Sequence, residues 1–195
     1  MTLLKVEENK KIRRNATDLL DAGLHLLAEN SIQQLTIDAL CKQLDVTKGS
    51  FYHHFKGRDD YLERMLEHWV EEWTIGSMQN ASAGSVSAAE RFDAIVDKSN
   101  DLPHGPETSI RAWAQIDPLA RSYLEKVDST RMNYLYEIFN EVSGDHDRAL
   151  LLSRISYSLF VGTRMVAPAI LGEERDNIIK LMKNELYGMP DAKKD

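Results

Sequence analysis

Thr47, Lys48, Gly49 and Ser50 stand in a row, Tyr52, His53 and Lys56 follow within ten positions, and Thr36 precedes them. Three hydroxyls, two ammonium groups, a phenol and an imidazole can all donate hydrogen bonds to phosphate or to base edges. Gly49 has no side chain to keep a partner's surface away from the backbone. Phe51 and Phe55 interrupt the polar set one helical turn apart, so burying them leaves Tyr52 and His53 exposed. This chemistry suits a polyanion that also carries edges to be read. Thr36, Tyr52, His53 and Lys56 are the candidates for phosphate, and Lys48, Gly49, Ser50 and, less directly, Thr47 are those for bases. Each has a plainer alternative: Thr36 and Thr47 cap helices in any helical protein, and Tyr52 and His53 can be ordinary surface residues.

Such a row must sit on a short helix whose N-terminal end faces the partner. Thr47 reads as an N-cap for that helix, and Thr36 caps an earlier one carrying Ile37, Leu40, Cys41 and Leu44 at helical spacing, with Asp38 in its first turn. Two short helices separated by Leu44-Asp45-Val46 predict a helix-turn-helix. Before it, Ile12, Ala16, Leu19, Leu20, Gly23, Leu26 and Leu27 predict a helix from Lys10 to Asn30. After it, Asp59 and Asp60 open a longer helix to about Met78, followed by a loop over residues 80–87. Further helices are predicted over Ala88–Asn100, Glu107–Ile116, Leu119–Val142, His146–Ala167 and Glu173–Tyr187, with a breaker-rich turn at Asp101–Pro106. No strand-like alternation occurs, so the fold class is all-α.

The run from Leu35 to Leu62, which contains Thr47-Lys48-Gly49-Ser50-Phe51-Tyr52-His53-His54-Phe55, closely resembles the DNA-binding signature of the TetR/AcrR family of bacterial transcription regulators. With its flanking helices the similarity covers roughly Lys10 to Met65. One departure is Asp45, where the family usually has glycine. A residue there often takes a left-handed conformation, which Asp tolerates better than most. The resemblance implies a helix-turn-helix DNA-binding domain of three helices, residues 1–58, and a larger helical effector-binding and dimerisation domain, residues 59–195.

Charge follows the same division. Residues 1–58 carry nine Lys and Arg against seven Asp and Glu, a net of +2, and the remainder carries 15 against 24, a net of −9. The overall charge of −7 therefore does not exclude a nucleic-acid partner. Lys10, Lys11, Arg13 and Arg14 add either phosphate contacts or only a solvated basic face.

One small module reads DNA weakly, and helix-turn-helix proteins form two-fold dimers on palindromic half-sites. Ile155, Leu159, Gly162 and Val166 make one apolar stripe, and Ile178, Leu181, Met182 and Leu186 make another. The resemblance implies a homodimer through these two helices, and the alternative is that both stripes serve the subunit core. It also implies a cavity for an unknown small-molecule effector. The candidates are the large, adaptable side chains Trp69, Trp73, Phe92 and Trp113, together with Met78, Met132, Tyr136, Phe160 and Met165. Arg111, Arg131 and Arg164 could meet an anionic effector, though acids are plentiful enough to pair them.

Other classes fit less well. No histidine has Glu three residues before it, as a di-iron bundle requires, and no phosphate-binding glycine loop or nucleophile elbow occurs. The expectation is therefore no enzyme, no metal and no cofactor. A helical adaptor for protein would have no use for the polar set around Lys48. The best apolar run, Ile155 to Leu171, is broken by Arg164 and Pro168, and Met1 to Arg14 lacks the apolar core of a secretory signal. The chain is expected to be cytoplasmic, without a membrane partner, and its single cysteine, Cys41, to be a buried apolar residue. The sum is a DNA-binding transcription regulator. A repressor is the simpler form, because blocking a promoter needs no contact with polymerase.

Overall fold

Helix caps fix most of the chain's boundaries. The computed structural model describes residues 15–84 and 87–189, so Lys10, Lys11, Arg13 and Arg14 lie outside the described residues. Helix α1 (Ala16–Glu29) opens on a capping box, Asn15 accepting from the Asp18 N–H at 2.8 Å and Asp18 from the Asn15 N–H at 2.9 Å. Helices α2 (Ile37–Gln43) and α3 (Lys48–His54) follow, then α4 (Arg58–Val70). A wide, π-helical turn, Glu71–Gly76, carries α4 into α5 (Ser77–Ser82), so the helix that opens at Arg58 runs past Met78 into the expected loop.

Helix α6 (Ala88–Asp101) has a second capping box, Ser87 with Glu90. Helix α7 (His104–Trp113) starts three residues earlier than the glycine and prolines suggest. Pro106 falls in its first turn, where a missing N–H costs no hydrogen bond. Gly105 is required there, because a Cβ would sit 2.7 Å from Ala28 Cβ of α1. Asp117 caps α8 (Pro118–Ser143), Asp145 caps α9 (His146–Met165), and α10 (Gly172–Met182) runs on through a wide turn, Lys183–Tyr187. Among the described residues every regular element is a helix, and no helix is long and apolar enough to cross a membrane.

Two apolar cores result. The first joins Leu19, Leu24, Phe51, Phe55, Met65 and Trp69 to Ile110, Trp113 and Val127, so α7 and α8 share a core with the helix-turn-helix. The second is built around Phe92, Phe139 and Tyr187, whose rings lie 4.9–5.7 Å apart. Between them the wide turn after α4 and helices α5, α6, α7, α8, α9 and α10 leave a cavity.

Candidate nucleic-acid interface and internal cavity

The turn between α2 and α3 is closed by backbone bonds from Val46 N–H to Cys41 carbonyl (3.0 Å) and from Asp45 N–H to Lys42 carbonyl (3.4 Å). Asp45 takes φ +51° to make this possible, the left-handed residue of a helix C-terminal motif. Thr36 then accepts from the Ala39 N–H and Thr47 from the Ser50 N–H, each at 3.2 Å, so both threonines cap their helices. Phe51 is fully buried and Phe55 nearly so, packed against each other and against Tyr61 in tilted and edge-to-face contacts. Their burial turns the opposite face of α3 outward.

On that face Thr47, Lys48, Gly49, His53 and Lys56 are exposed, Tyr52 is 55% exposed and Ser50 is half-buried. Thr36 is also exposed at the start of α2. Lys48 is held 2.7 Å from Asp38, which raises the lysine's pKa through a hydrogen bond and its charge. Both groups are in solvent, so this pair opens readily for a competing phosphate or base.

Three residues outside the polar set hold it in place. Arg58 donates to the Ile32 carbonyl (2.8 Å) and the Leu35 carbonyl (3.1 Å), pinning the entry to α2. Arg64 donates to the His54 carbonyl (2.8 Å) and lies over the Phe55 ring, closing the C-terminus of α3. Tyr61 donates to the Leu19 carbonyl (2.8 Å), and Gly23 makes room for it, since a Cβ there would lie 1.8 Å from the phenolic oxygen. The sequence gives no local sign of these long-range bonds.

The cavity contains about 950 Å³ of atom-free space, its mouth included. Trp73, Met78, Phe92 and Phe160 line it. The other expected lining residues are elsewhere. Trp69 and Trp113 fill the first core, because the wide turn after Val70 changes the facing between Trp69 and Trp73. Met132 and Tyr136 pack on the second core, Tyr136 bonding His146 Nδ1 at 2.9 Å, and Met165 faces solvent at the end of α9. Leu159, expected on the dimer stripe, lines the cavity instead.

Of the other stripe residues, Ile155, Val166 and Leu181 are exposed, joined by Leu151, and Gly162 and Ile178 are half-buried. A Cβ at Gly162 would meet nothing within 4 Å. Met182 at the end of α10 and Leu186 in the wide turn after it pack on the second core.

The polar groups of the cavity fall into two clusters. In one, Glu107 is 7% exposed and accepts from Arg131 Nη1 (2.8 and 2.9 Å) and from Arg111 (3.0 and 3.2 Å). Burial favours its neutral form, but Arg131 and Arg111 outweigh that and hold its pKa below the ordinary value. Arg111 also grips Asp128 at 2.7 and 3.1 Å, and Tyr157 donates to Asp128 at 2.6 Å. In the other cluster, Arg164 is 8% exposed and Arg175 3% exposed. Arg164 donates to His104 Nδ1 (3.2 Å) and to the carbonyls of Phe160 (3.1 Å) and Ser99 (3.0 Å), and Arg175 Nη2 donates to Ser99 Oγ (2.8 Å). His104, Ser99 and Arg175 were not legible as site residues: they are 76 positions apart at the extremes and lie in a turn and on two polar helix faces.

Residues 19–65, from α1 through most of α4, match the bacterial regulatory proteins of the tetR family. The uncharacterized HTH-type transcriptional regulator YwcC of Bacillus subtilis is 34% identical over 65 residues, which are 32% of this chain and 29% of that protein. The fatty acid metabolism regulator protein of Bacillus subtilis is 25% identical over 129 residues, 65% of each chain. The HTH-type transcriptional repressor KstR2 of Rhodococcus jostii is 21% identical over 64% of this chain and 58% of its own length. The chain thus spans 29% to 65% of the length of these curated relatives. In fold it is similar to the reduced form of E. coli NemR, with a TM-score of 0.71 at 19% identity over 91% of this chain and 98% of that one. The matched stretch is the one in which the turn at Asp45 sets α3 against α2, and over residues 19–65 the chain is similar to the tetR family of bacterial regulatory proteins.

Proposed function

We propose that the protein is a cytoplasmic, DNA-binding transcription regulator, a homodimeric repressor released from a palindromic operator by a small-molecule effector. The observation that carries this reading is the outward row on α3, Thr47, Lys48, Gly49, Ser50, Tyr52 and His53, over a buried Phe51 and Phe55, with Thr36 and Lys56 flanking it. A helix laid N-terminus first in the major groove needs that arrangement of donors. Residues 1–58 carry the DNA contacts in this reading and residues 59–195 the effector and the second subunit. Exposed Leu151, Ile155, Val166 and Leu181 on and beside α9 and α10, with open space at Gly162, support the dimer face.

The packing also supports a link between cavity and DNA face. His104 and Glu107 of α7 line the cavity, Gly105 of the same turn touches Ala28 of α1, and Ile110 and Trp113 share the core of Phe51 and Tyr61. A ligand that shifts α7 therefore shifts the frame on which α3 is mounted, provided it binds the two positions differently.

Selection of bound duplexes from a random pool tests the reading. The expected product is a palindrome bound with a salt dependence near −0.9 in log–log slope for each phosphate contact. Lys48→Ala and Tyr52→Ala should weaken binding to that palindrome roughly tenfold or more, with helicity and dimerisation unchanged. Equal retention of the palindrome by both variants overturns α3 as the reader.

A further inference from the structure

Among the described residues, the Arg164–Arg175 corner carries charge to which no carboxylate is bonded, Glu107 acting on Arg164 and Asp176 on Arg175 only through their fields. The two guanidiniums meet on one residue, Ser99, whose carbonyl receives Arg164 and whose hydroxyl receives Arg175. Every group that Arg164 touches is neutral: two carbonyls, the Nδ1 of His104, and the Phe160 ring 3.9 Å below the guanidinium carbon. Among the described residues no carboxylate forms an ion pair with either arginine, and Arg175 Nη1 is buried with no hydrogen-bond partner. Burial and Arg175 push the Arg164 pKa down to about 10, and burial, Arg164 and Arg175 lower that of His104. At neutral pH both arginines therefore keep their charge while the imidazole that accepts from Arg164 is driven toward its neutral form.

Two buried like charges, one with an idle donor, destabilise a fold unless a counter-ion visits them. Both line the cavity, and most of the remaining wall is apolar, including Trp73, Phe92, Ile95, Val96, Leu135 and Ile179. We infer that this corner seats the head of an anionic ligand, and that the effector is an organic carboxylate whose apolar body occupies the rest of the cavity. A carboxylate offers two oxygens in the plane of a guanidinium fork, which matches the free Nη1 of Arg175 beside Arg164. This inference rests on the reading of the cavity as the effector site, and it assigns the chemical class that the site takes.

The experiment is a melting-midpoint titration of the full chain with hexanoate, octanoate, decanoate, phenylacetate and 3-phenylpropionate, each beside the primary amide of the same skeleton. At least one carboxylate should raise the midpoint saturably, and its amide should bind about tenfold to a hundredfold more weakly, because the charge-assisted bonds are lost. Amides that match their acids, or no response to any of the acids, overturn the inference. Arg175→Met supplies the second readout. Without ligand its midpoint should equal or exceed that of the wild type, because an unpaired buried charge has been removed, and its response to the carboxylate should vanish. A fallen midpoint with the response intact makes Arg175 a structural residue and overturns the inference. If Arg175→Met does not fold, the comparison of acid with amide on the wild type decides alone. Selection of DNA from random duplexes, run without ligand, separates the two readings. A palindrome recovered in the absence of any acid response leaves the regulator standing and removes only the carboxylate.

Discussion

Two pairs of buried arginines lie at the cavity, which Arg131, Arg164 and Arg175 line with Arg111 behind Glu107, and their surroundings are opposite. Arg111 and Arg131 hold Glu107 and Asp128 between them, so that end is neutral and fully bonded. Among the described residues Arg164 and Arg175 are hydrogen-bonded only to neutral acceptors, and one donor is left over. Both pairs are buried to similar degrees, so burial alone does not distinguish structure from site. What distinguishes them is whether the fold itself supplies the counter-charge. The first end is a strut that ties α7 to α8 with Tyr157 of α9. The second keeps a positive potential in reserve.

Removing the counter-charge from the paired end should have the largest effect. Glu107→Gln leaves Arg131 buried with no carboxylate, and breaking a buried pair from one side costs about 3–5 kcal/mol. Urea unfolding should show that loss. If Glu107→Gln unfolds at the wild-type midpoint, the two ends do not differ as described. Asp128→Asn should cost less, about 1–3 kcal/mol, because its side chain is 28% exposed and water can take over part of the role. Arg111 also keeps Glu107 in that variant. The opposite change is to give the unpaired end a carboxylate of its own. Ser99→Asp puts an anion where the hydroxyl now meets Arg175 at 2.8 Å, and it should stabilise the chain by about 1 kcal/mol while abolishing the response to carboxylates. A gain in stability with the response retained would place the ligand elsewhere.

The helix-turn-helix and this cavity were legible to different degrees, for a physical reason. The helix-turn-helix is written in adjacent residues: threonine caps, a phenylalanine pair one turn apart and a polar row between them all act within about three turns. Even the departure at Asp45 could be read, because its role depends on one φ angle. The helix boundaries at Ser87, Asp117 and Asp145 follow from caps in the same way. Pro106 misled because proline stops a helix or starts one depending on register, and Gly105 is there for Ala28, a contact across 77 positions. The cavity corner is assembled from Ser99, His104, Arg164 and Arg175 on or beside four helices, and nothing near Arg175 in Glu-Glu-Arg-Asp separates it from a solvated surface residue. A tally of acids said that every arginine could be paired. Only the packing of α6, α7, α9 and α10 decides which ones are.

The smallest expected effect is on His104, and it reports the charge of the corner directly. The groups that act on its imidazole are Arg164 and Arg175, which with burial lower its pKa, and Glu107, which raises it. A histidine whose folded pKa lies below its unfolded value near 6.5 contributes stability that is present above that pH and is lost as pH falls through the folded value. The melting midpoint of the free protein should therefore decline as pH is lowered from about 7 toward 5, and His104→Gln should lessen that decline. A bound carboxylate offsets the field of Arg164 and Arg175, so it lifts the His104 pKa and its binding takes up a proton. The stabilisation by an active carboxylate should accordingly grow as pH falls over that range, as long as the acid stays ionised, and His104→Gln should flatten the trend. A ligand effect that is flat with pH in the wild type would mean that the anion does not reach this corner, and the distinction between the two arginine pairs would then be one of bonding alone.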